Sequence, residues 1–283
     1  MENLGIIKAD LHTHTYYSDG KFSPSELIRK AKDKSISLLS ITDHDNIDAI
    51  DEAYEYGKEL GVEVIPGVEI SSVHNEREIH ILGYFIDTKN KELQNQLSLF
   101  RNQRLNRAVK IVEKLNELGI PIKLENVIDK VIGNGSIGRP HIAFALQEGQ
   151  FIESYFEAFT KYIGNGKPAY VKKLNPSVKE TADIIAKAGG LSFIAHPGKN
   201  IRDVFLTELI DAGIDGIEVI HPSHSAEDIN YFQGIVSQYF LLESGGSDFH
   251  GGRINDESIL GTYFISEQKV DAMKKRLFQL KKY

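Results

Sequence analysis

Seven short apolar runs alternate with helical segments along this chain, and nearly every run ends in a histidine or a carboxylate. The runs are the opening strand entering Ala9–Gly20, Leu38–Ile41, Val62–Ile65 (broken by Pro66-Gly67 and ending at Val68–Ile70), Glu78–Phe85, Leu191–Ala195, Gly216–Ile220 and Phe240–Gly246. Helical patterns follow most of them. One opens at the Ser23-Pro24-Ser25-Glu26 capping box and runs to about Lys34. Others cover Ile47–Leu60, with Gly61 as its stop, then Val178–Ala188, Val204–Ala212 and Ala226–Gln238. A last strand (Gly261–Ile265) and a polar helix (Gln268–Lys282) finish the chain. Strand–helix alternation predicts right-handed crossovers and a parallel sheet, closed or nearly so. In a (β/α) barrel, side chains at the C-terminal strand ends build the active site. His12 and His14, His44, Glu69, His80, His196, His221, Asp248 and His250 all fall at or near those ends.

One segment breaks the alternation. From about Lys89 to Lys167 the pattern is mostly helical, with Arg101, Arg104 and Arg107 on its first helix and Gly138-Arg139-Pro140-His141 opening a later one. The expected organisation is a barrel domain from residues 1–88 and 168–283, with 89–167 as a small helical insertion covering the active-site face. The three arginines are expected on a solvated helix face.

Asp10, His12 and His14 recur at intervals of two. On an extended strand they share one side, which puts two imidazoles and a carboxylate together. Alone, each of these residues has a plain structural reading as a hydrogen-bonded strand or cap residue. Together they are too many nitrogen and oxygen donors for one ion and suit two or three ions sharing a carboxylate. The chain has no cysteine, so the ligands are imidazole and carboxylate, which suits Mn²⁺, Fe, Zn²⁺ or Mg²⁺. A net charge of -7 argues against a broad nucleic-acid-binding surface and leaves room for a local basic pocket.

The motifs DLHTHT, SDG, ITDHD, PGVEIS, EIHILGY, AHPG and GSDFHG, in this order from Asp10 to His250, resemble the PHP (polymerase and histidinol phosphatase) family. The resemblance implies a distorted seven-stranded (β/α) barrel with a trinuclear centre of divalent ions, Mn²⁺ first. It puts His12, His14, Glu69 and Asp248 on one ion, and Glu69, His80 and His196 on a second. Asp19, His44 and His250 hold a third, with Asp19 where some branches carry histidine. Asp10 and Asp43 are read as carboxylates that orient the histidines.

The arginine-rich helical insertion and the HPG and SDFHG signatures look most like the 3′,5′-nucleoside bisphosphate phosphatase and 5′-to-3′ exoribonuclease branch. The implied activity is hydrolysis of a phosphoester, with Glu69, Arg139 and His221 as catalytic groups. Arg139, His141, His221, His224 and Lys199 are expected to contact the substrate, a small anionic nucleotide or short RNA. Arg139 is the first of these, since a guanidinium matches phosphate bidentately. His74, in a charged loop, is assigned nothing. The alternatives are a histidinol-phosphate phosphatase on the same barrel and, from another class, a non-catalytic PHP accessory module. No signal-like segment or bilayer-length apolar run is present, so a cytoplasmic protein without a stable protein partner is expected.

Overall fold

The computed structural model of the chain describes residues 7–252 and 256–280. Its strands are β1 (Lys8–Thr13), β2 (Ile36–Ile41), β3 (Glu63–His74), β4 (Arg77–Tyr84), β5 (Leu191–Ile194), β6 (Gly216–Ile220), β7 (Leu242–Gly245) and β8 (Ile265–Ser266). Its α-helices are α1 (Pro24–Asp33), α2 (Ile50–Leu60), α3 (Lys91–Glu117), α4 (Leu124–Ile128), α5 (Arg139–Glu148) and α6 (Tyr155–Glu157). These are followed by α7 (Val178–Lys187), α8 (Asp203–Asp211), α9 (Ala226–Gln238), α10 (Asp256–Ile259) and α11 (Glu267–Leu280). The expected end of the last helix, at Lys281 and Lys282, lies outside the described residues. Among the described residues no helix is long and apolar enough to cross a membrane.

One eight-stranded sheet runs in the order β7-β6-β5-β4-β3-β2-β1-β8. The sheet is not wholly parallel, which corrects the sequence expectation. β4 is antiparallel to both β3 and β5, and β8 is antiparallel to β1. The reason is local. His74 pairs with Arg77, so only Asn75 and Glu76 connect β3 to β4, and both adopt positive φ. Two such residues make a tight hairpin, whereas a parallel crossover needs a dozen or more. Nor does Pro66 break β3. It pairs with Ile41 at the end of the β2 ladder, and its carbonyl accepts from Phe85 N at 2.8 Å. Proline's missing N–H falls where the strand exchanges one partner for the other, so no ladder bond is lost.

The two ends of the sheet meet beside the site. His14 N donates to Phe249 O (2.9 Å) and Lys21 N to His250 O (2.7 Å). Ser247 N donates to the Asp10 carboxylate at 2.9 Å. Gly246 allows this approach: a Cβ there would lie 2.6 Å from His12 Cβ and 2.7 Å from Asp10 Oδ1. Gly246→Ala is therefore expected to destabilise the fold by about 1–3 kcal/mol through overpacking. Urea unfolding checks this; an unchanged midpoint would mean that closure does not depend on the contact.

The helix α3 joins two cores. Its first turns place Leu93, Leu97 and Phe100 against the barrel core of Val68, Ile81 and Ile185. Its later turns place Ala108, Ile111, Val112 and Leu115 in a separate cluster with Ile142, Leu146, Ile163 and Ala169. The changeover falls at Arg101, Arg104 and Arg107. These arginines are not on a solvated face. Arg104 is buried, and Arg101 and Arg107 are half-buried. The helix leans on the barrel through this stripe, and carboxylate and carbonyl groups there take the charge.

Candidate metal centre

Most residues expected at the strand ends converge on Glu69, which the β3 pleat points inward and which is 1% exposed. Its Oε2 lies 3.4 Å from His12 Nε2, 3.3 Å from His14 Nε2 and 3.0 Å from His44 Nδ1. Its Oε1 lies 2.8 Å from His80 Nδ1 and 3.1 Å from His196 Nε2. Asp248 Oδ1 completes the first side, at 3.3 Å from His12 Nε2 and 3.1 Å from His14 Nε2. A third group gathers on Asp19, whose Oδ1 is 3.2 Å from His250 Nε2, 3.9 Å from His44 Nε2 and 4.0 Å from His14 Nδ1. The ligand atoms of His14, Asp19, His44 and His250 all lie within 4.8 Å of one another. So do those of His12, His14 and Glu69, and those of His44, Glu69 and His80. His44 thus stands between two groups.

Hydrogen bonds outside the cluster fix which imidazole nitrogen faces it. His250 Nδ1 meets the Asp248 carbonyl at 2.7 Å, and a carbonyl only accepts, so Nδ1 carries the proton and the Nε2 lone pair faces Asp19. His12 Nδ1 meets Glu218 Oε1 at 2.9 Å, which leaves its Nε2 lone pair toward Glu69 and Asp248. His14 Nδ1 meets Ser18 Oγ at 3.3 Å, and Ser18 in turn donates to Asp43. These are the tautomers a metal-binding histidine needs. His12 Nε2, His14 Nε2, His44 Nδ1, His80 Nδ1 and Glu69 Oε2 are buried without a hydrogen-bond partner. Burial opposes ionisation of Glu69, Asp19 and Asp248, yet with no cation bound, imidazolium charge on the surrounding histidines more than offsets it and holds all three well below the usual carboxylate range; a bound cation would take over that charge and leave the imidazoles neutral. Buried lone pairs and negative charge facing one another call for cations, so the residues fit divalent ions.

Asp43 orients His14 through Ser18, as expected of it. Asp10 does not touch an imidazole. It accepts from the backbone N–H groups of His12 (3.3 Å) and Ser247 (2.9 Å) and ties β1 to the β7 end. Burial pushes both carboxyls up to about 7.

The carboxylate that orients His12 is Glu218, which sequence reasoning missed. Its other oxygen accepts from His196 N at 2.7 Å. The signal was a lone acid inside the apolar strand β6, GIEVI. Glu218→Gln keeps one acceptor. The His196 N–H claims it, so the amide NH₂ faces His12 Nδ1 and drives the imidazole proton to Nε2, against the cluster. We expect a 10–100-fold loss of metal affinity, of the order of ~2 kcal/mol, by metal titration. An unchanged affinity would remove this role.

Beyond His80 and His196 the site opens into a cavity of about 520 Å³, lined by Arg139, Lys172, Lys173, Tyr170, Asn165 and Glu78 among others. Arg139 is steered there by Asn165 Oδ1 at 2.9 Å, and it lies 4.0 Å from Glu78. His221 also belongs to the site. Ser223 N donates to its Nδ1 at 3.1 Å, so the proton sits on Nε2, 3.7 Å from Asp248 Oδ2. The other expected contacts are engaged with the protein's own backbone or stand outside the cavity lining. His141 is buried and its Nδ1 accepts from Gly138 N, closing the start of α5. His224 has both nitrogens committed, to Val219 O at 2.9 Å and to Gly198 N at 3.1 Å. Lys199 is exposed on a turn and does not line the cavity. His74 pairs with Glu208 at 2.9 Å, away from the cluster.

Comparison with known proteins places this geometry in context. Residues 10–117 match the PHP domain. The chain is 34% identical to a 5′-3′ exoribonuclease of Haemophilus influenzae, over 86% of this chain and 90% of that protein. It is 33% identical to a 3′,5′-nucleoside bisphosphate phosphatase of Chromobacterium violaceum, over 86% of this chain and 89% of that one. The structure superposes on a Bifidobacterium adolescentis protein assigned as a metal-dependent phosphoesterase. The TM-score is 0.87 at 32% identity, covering 94% of this chain and 95% of the other.

Proposed function

The chain belongs to the PHP domain family, and on that premise we propose that it is a metal-dependent hydrolase of nucleotide phosphoesters. The preferred substrate is the 3′-phosphate of a nucleoside 3′,5′-bisphosphate. The similarity to exoribonucleases favours trimming of short RNA from its 5′ end as a second activity of the same site. The observation that carries this reading is the convergence of His12, His14, His44, His80 and His196 on the two oxygens of one buried glutamate, beside a cavity with basic lining.

In this reading the site would take three divalent ions, manganese first. His12, His14, Glu69 and Asp248 would hold one; Glu69, His80 and His196 a second; Asp19, His44 and His250 a third. When bound, the ions supply Lewis acidity toward the phosphoryl group and acidify water. The chain's own residues do the rest. Glu218 and the Ser18–Asp43 pair fix the imidazoles of His12 and His14, so the ligands do not reorganise during reaction. Arg139, with Lys172 on the same cavity, draws in and neutralises the anionic substrate. His221, with its proton on Nε2, donates a hydrogen bond toward the leaving oxygen or a phosphoryl oxygen.

Arg139→Ala is expected to raise KM about 10–100-fold, the size of one lost charge-assisted hydrogen bond of ~1.5–3 kcal/mol. Steady-state kinetics check it, and an unchanged KM would place the phosphate elsewhere. The reading as a whole is tested by assaying a nucleoside 3′,5′-bisphosphate, a short 5′-phosphorylated RNA and histidinol phosphate side by side with Mn²⁺. Preference for histidinol phosphate would overturn the substrate choice. Silence on all three after metal loading would favour the non-catalytic reading.

A further inference from the structure

Asp45 follows the expected ligand His44 and is fully buried in the left-handed region, at φ 51°. Its backbone belongs to the site. Asp45 N donates to Glu69 O at 2.9 Å, and His44 and Glu69 form a parallel bridge. Its side chain points the other way, toward the insertion. Oδ1 accepts from Ser71 N at 3.3 Å, and Oδ2 accepts from Arg104 Nε and from Lys173 Nζ at 3.1 Å. The Asp45 carbonyl accepts from Arg101 Nη1 at 3.0 Å, and Arg104 Nη2 reaches Ser71 Oγ at 3.0 Å.

The placement of these cations is the informative part. Arg101 and Arg104 lie on α3 where it passes from the barrel core to the insertion core. Lys173 lies on the stretch of chain that returns from the insertion, just beyond Ala169, which still packs in the insertion core. One buried carboxylate therefore fastens both the outgoing and the returning connection of the insertion, at the residue next to an expected metal ligand. Arg139, Asn165 and Tyr170, which line the cavity, are carried between those connections.

We propose that Asp45 is a positioning residue that clamps the insertion to the metal-ligand loop and so sets where its basic cavity wall stands relative to the site. The kinetic part of this proposal rests on the phosphoesterase reading. A carboxylate serves three donors here: Ser71 N–H, Arg104 and Lys173. An asparagine offers a single acceptor oxygen and leaves a buried cation unpaired.

The test uses Asp45→Asn in the full chain. Hydrogen exchange of the backbone amides in residues 101–108 and 169–173 is expected to speed up at least about tenfold. KM for the bisphosphate is expected to rise at least about tenfold through misplacement of the wall, with kcat within about threefold and manganese per chain unchanged. Unchanged exchange with unchanged KM overturns the proposal. So does loss of manganese and kcat at constant KM, which would make Asp45 a support of His44 alone. Should Asp45→Asn not fold, Arg104→Gln decides. It leaves Asp45 paired with Lys173, and Arg104 does not line the cavity. The same two changes are expected at smaller size, and their absence overturns the clamp. Exchange is measured without substrate, so it tests the clamp even if the protein hydrolyses none of the phosphoesters tried.

Discussion

Glu69→Gln is expected to lower kcat by at least about a thousandfold, ~4 kcal/mol of transition-state stabilisation, while the protein stays folded. Both halves follow from the geometry. Glu69 uses Oε2 toward His12, His14 and His44 and Oε1 toward His80 and His196, so it alone faces both groups at once. An amide of the same shape has one acceptor oxygen and no charge. It serves one group and turns an NH₂ toward the other. The fold depends on the charge far less, since a glutamine packs in the same space. The imidazoles around Glu69 do hold its carboxyl well below the usual range, so the metal-free protein loses some stability with the charge. The metal-free variant should melt below the metal-free parent in a cooperative transition of the same shape. Near-normal metal-dependent turnover in Glu69→Gln would mean that no carboxylate bridge is needed.

The second large effect is that of chelation. Exhaustive removal of divalent ions is expected to suppress phosphate release by at least about three orders of magnitude, with recovery on adding Mn²⁺. The fold should survive, because the barrel core of Val68, Ile81, Ile194 and Ile217 closes without any of the site residues. Stability should fall, however. An ion that binds only the native state, present at a thousandfold its Kd, contributes about 4 kcal/mol. Calorimetry of the loaded and chelated protein should show a melting temperature several degrees lower without metal. Equal activity and equal melting temperature in the two states would exclude a functional metal centre.

Much of this site was legible in the sequence because strand-end chemistry is local. His12 and His14 share a strand face by spacing alone, and the strand–helix alternation says that the ends of separate strands meet. What the sequence hid were features set by a partner far along the chain. β4 runs antiparallel because Asn75-Glu76 closes a two-residue hairpin. Asparagine is usual in such a turn, but glutamate at positive φ is not, so the signal was half masked. Glu218 read as one acid in an apolar strand, and only the fold brings it against His12, 206 residues away in sequence. Arg104 looked solvated because a basic residue on a helix normally is; Asp45, 59 residues earlier, reverses that. His141 and His224 show the converse. Their types suggested phosphate contacts, but a backbone N–H occupies one ring nitrogen of each, and the Val219 carbonyl takes the other nitrogen of His224.

The most direct test of the central claim is an anomalous difference map from crystals soaked in Mn²⁺, recorded at the manganese edge. The expected map has one peak among His12, His14, Glu69 and Asp248, and a second among Glu69, His80 and His196, with Glu69 touching both. A third peak is expected among Asp19, His44 and His250. A map with no peak within bonding distance of Glu69 would contradict the account.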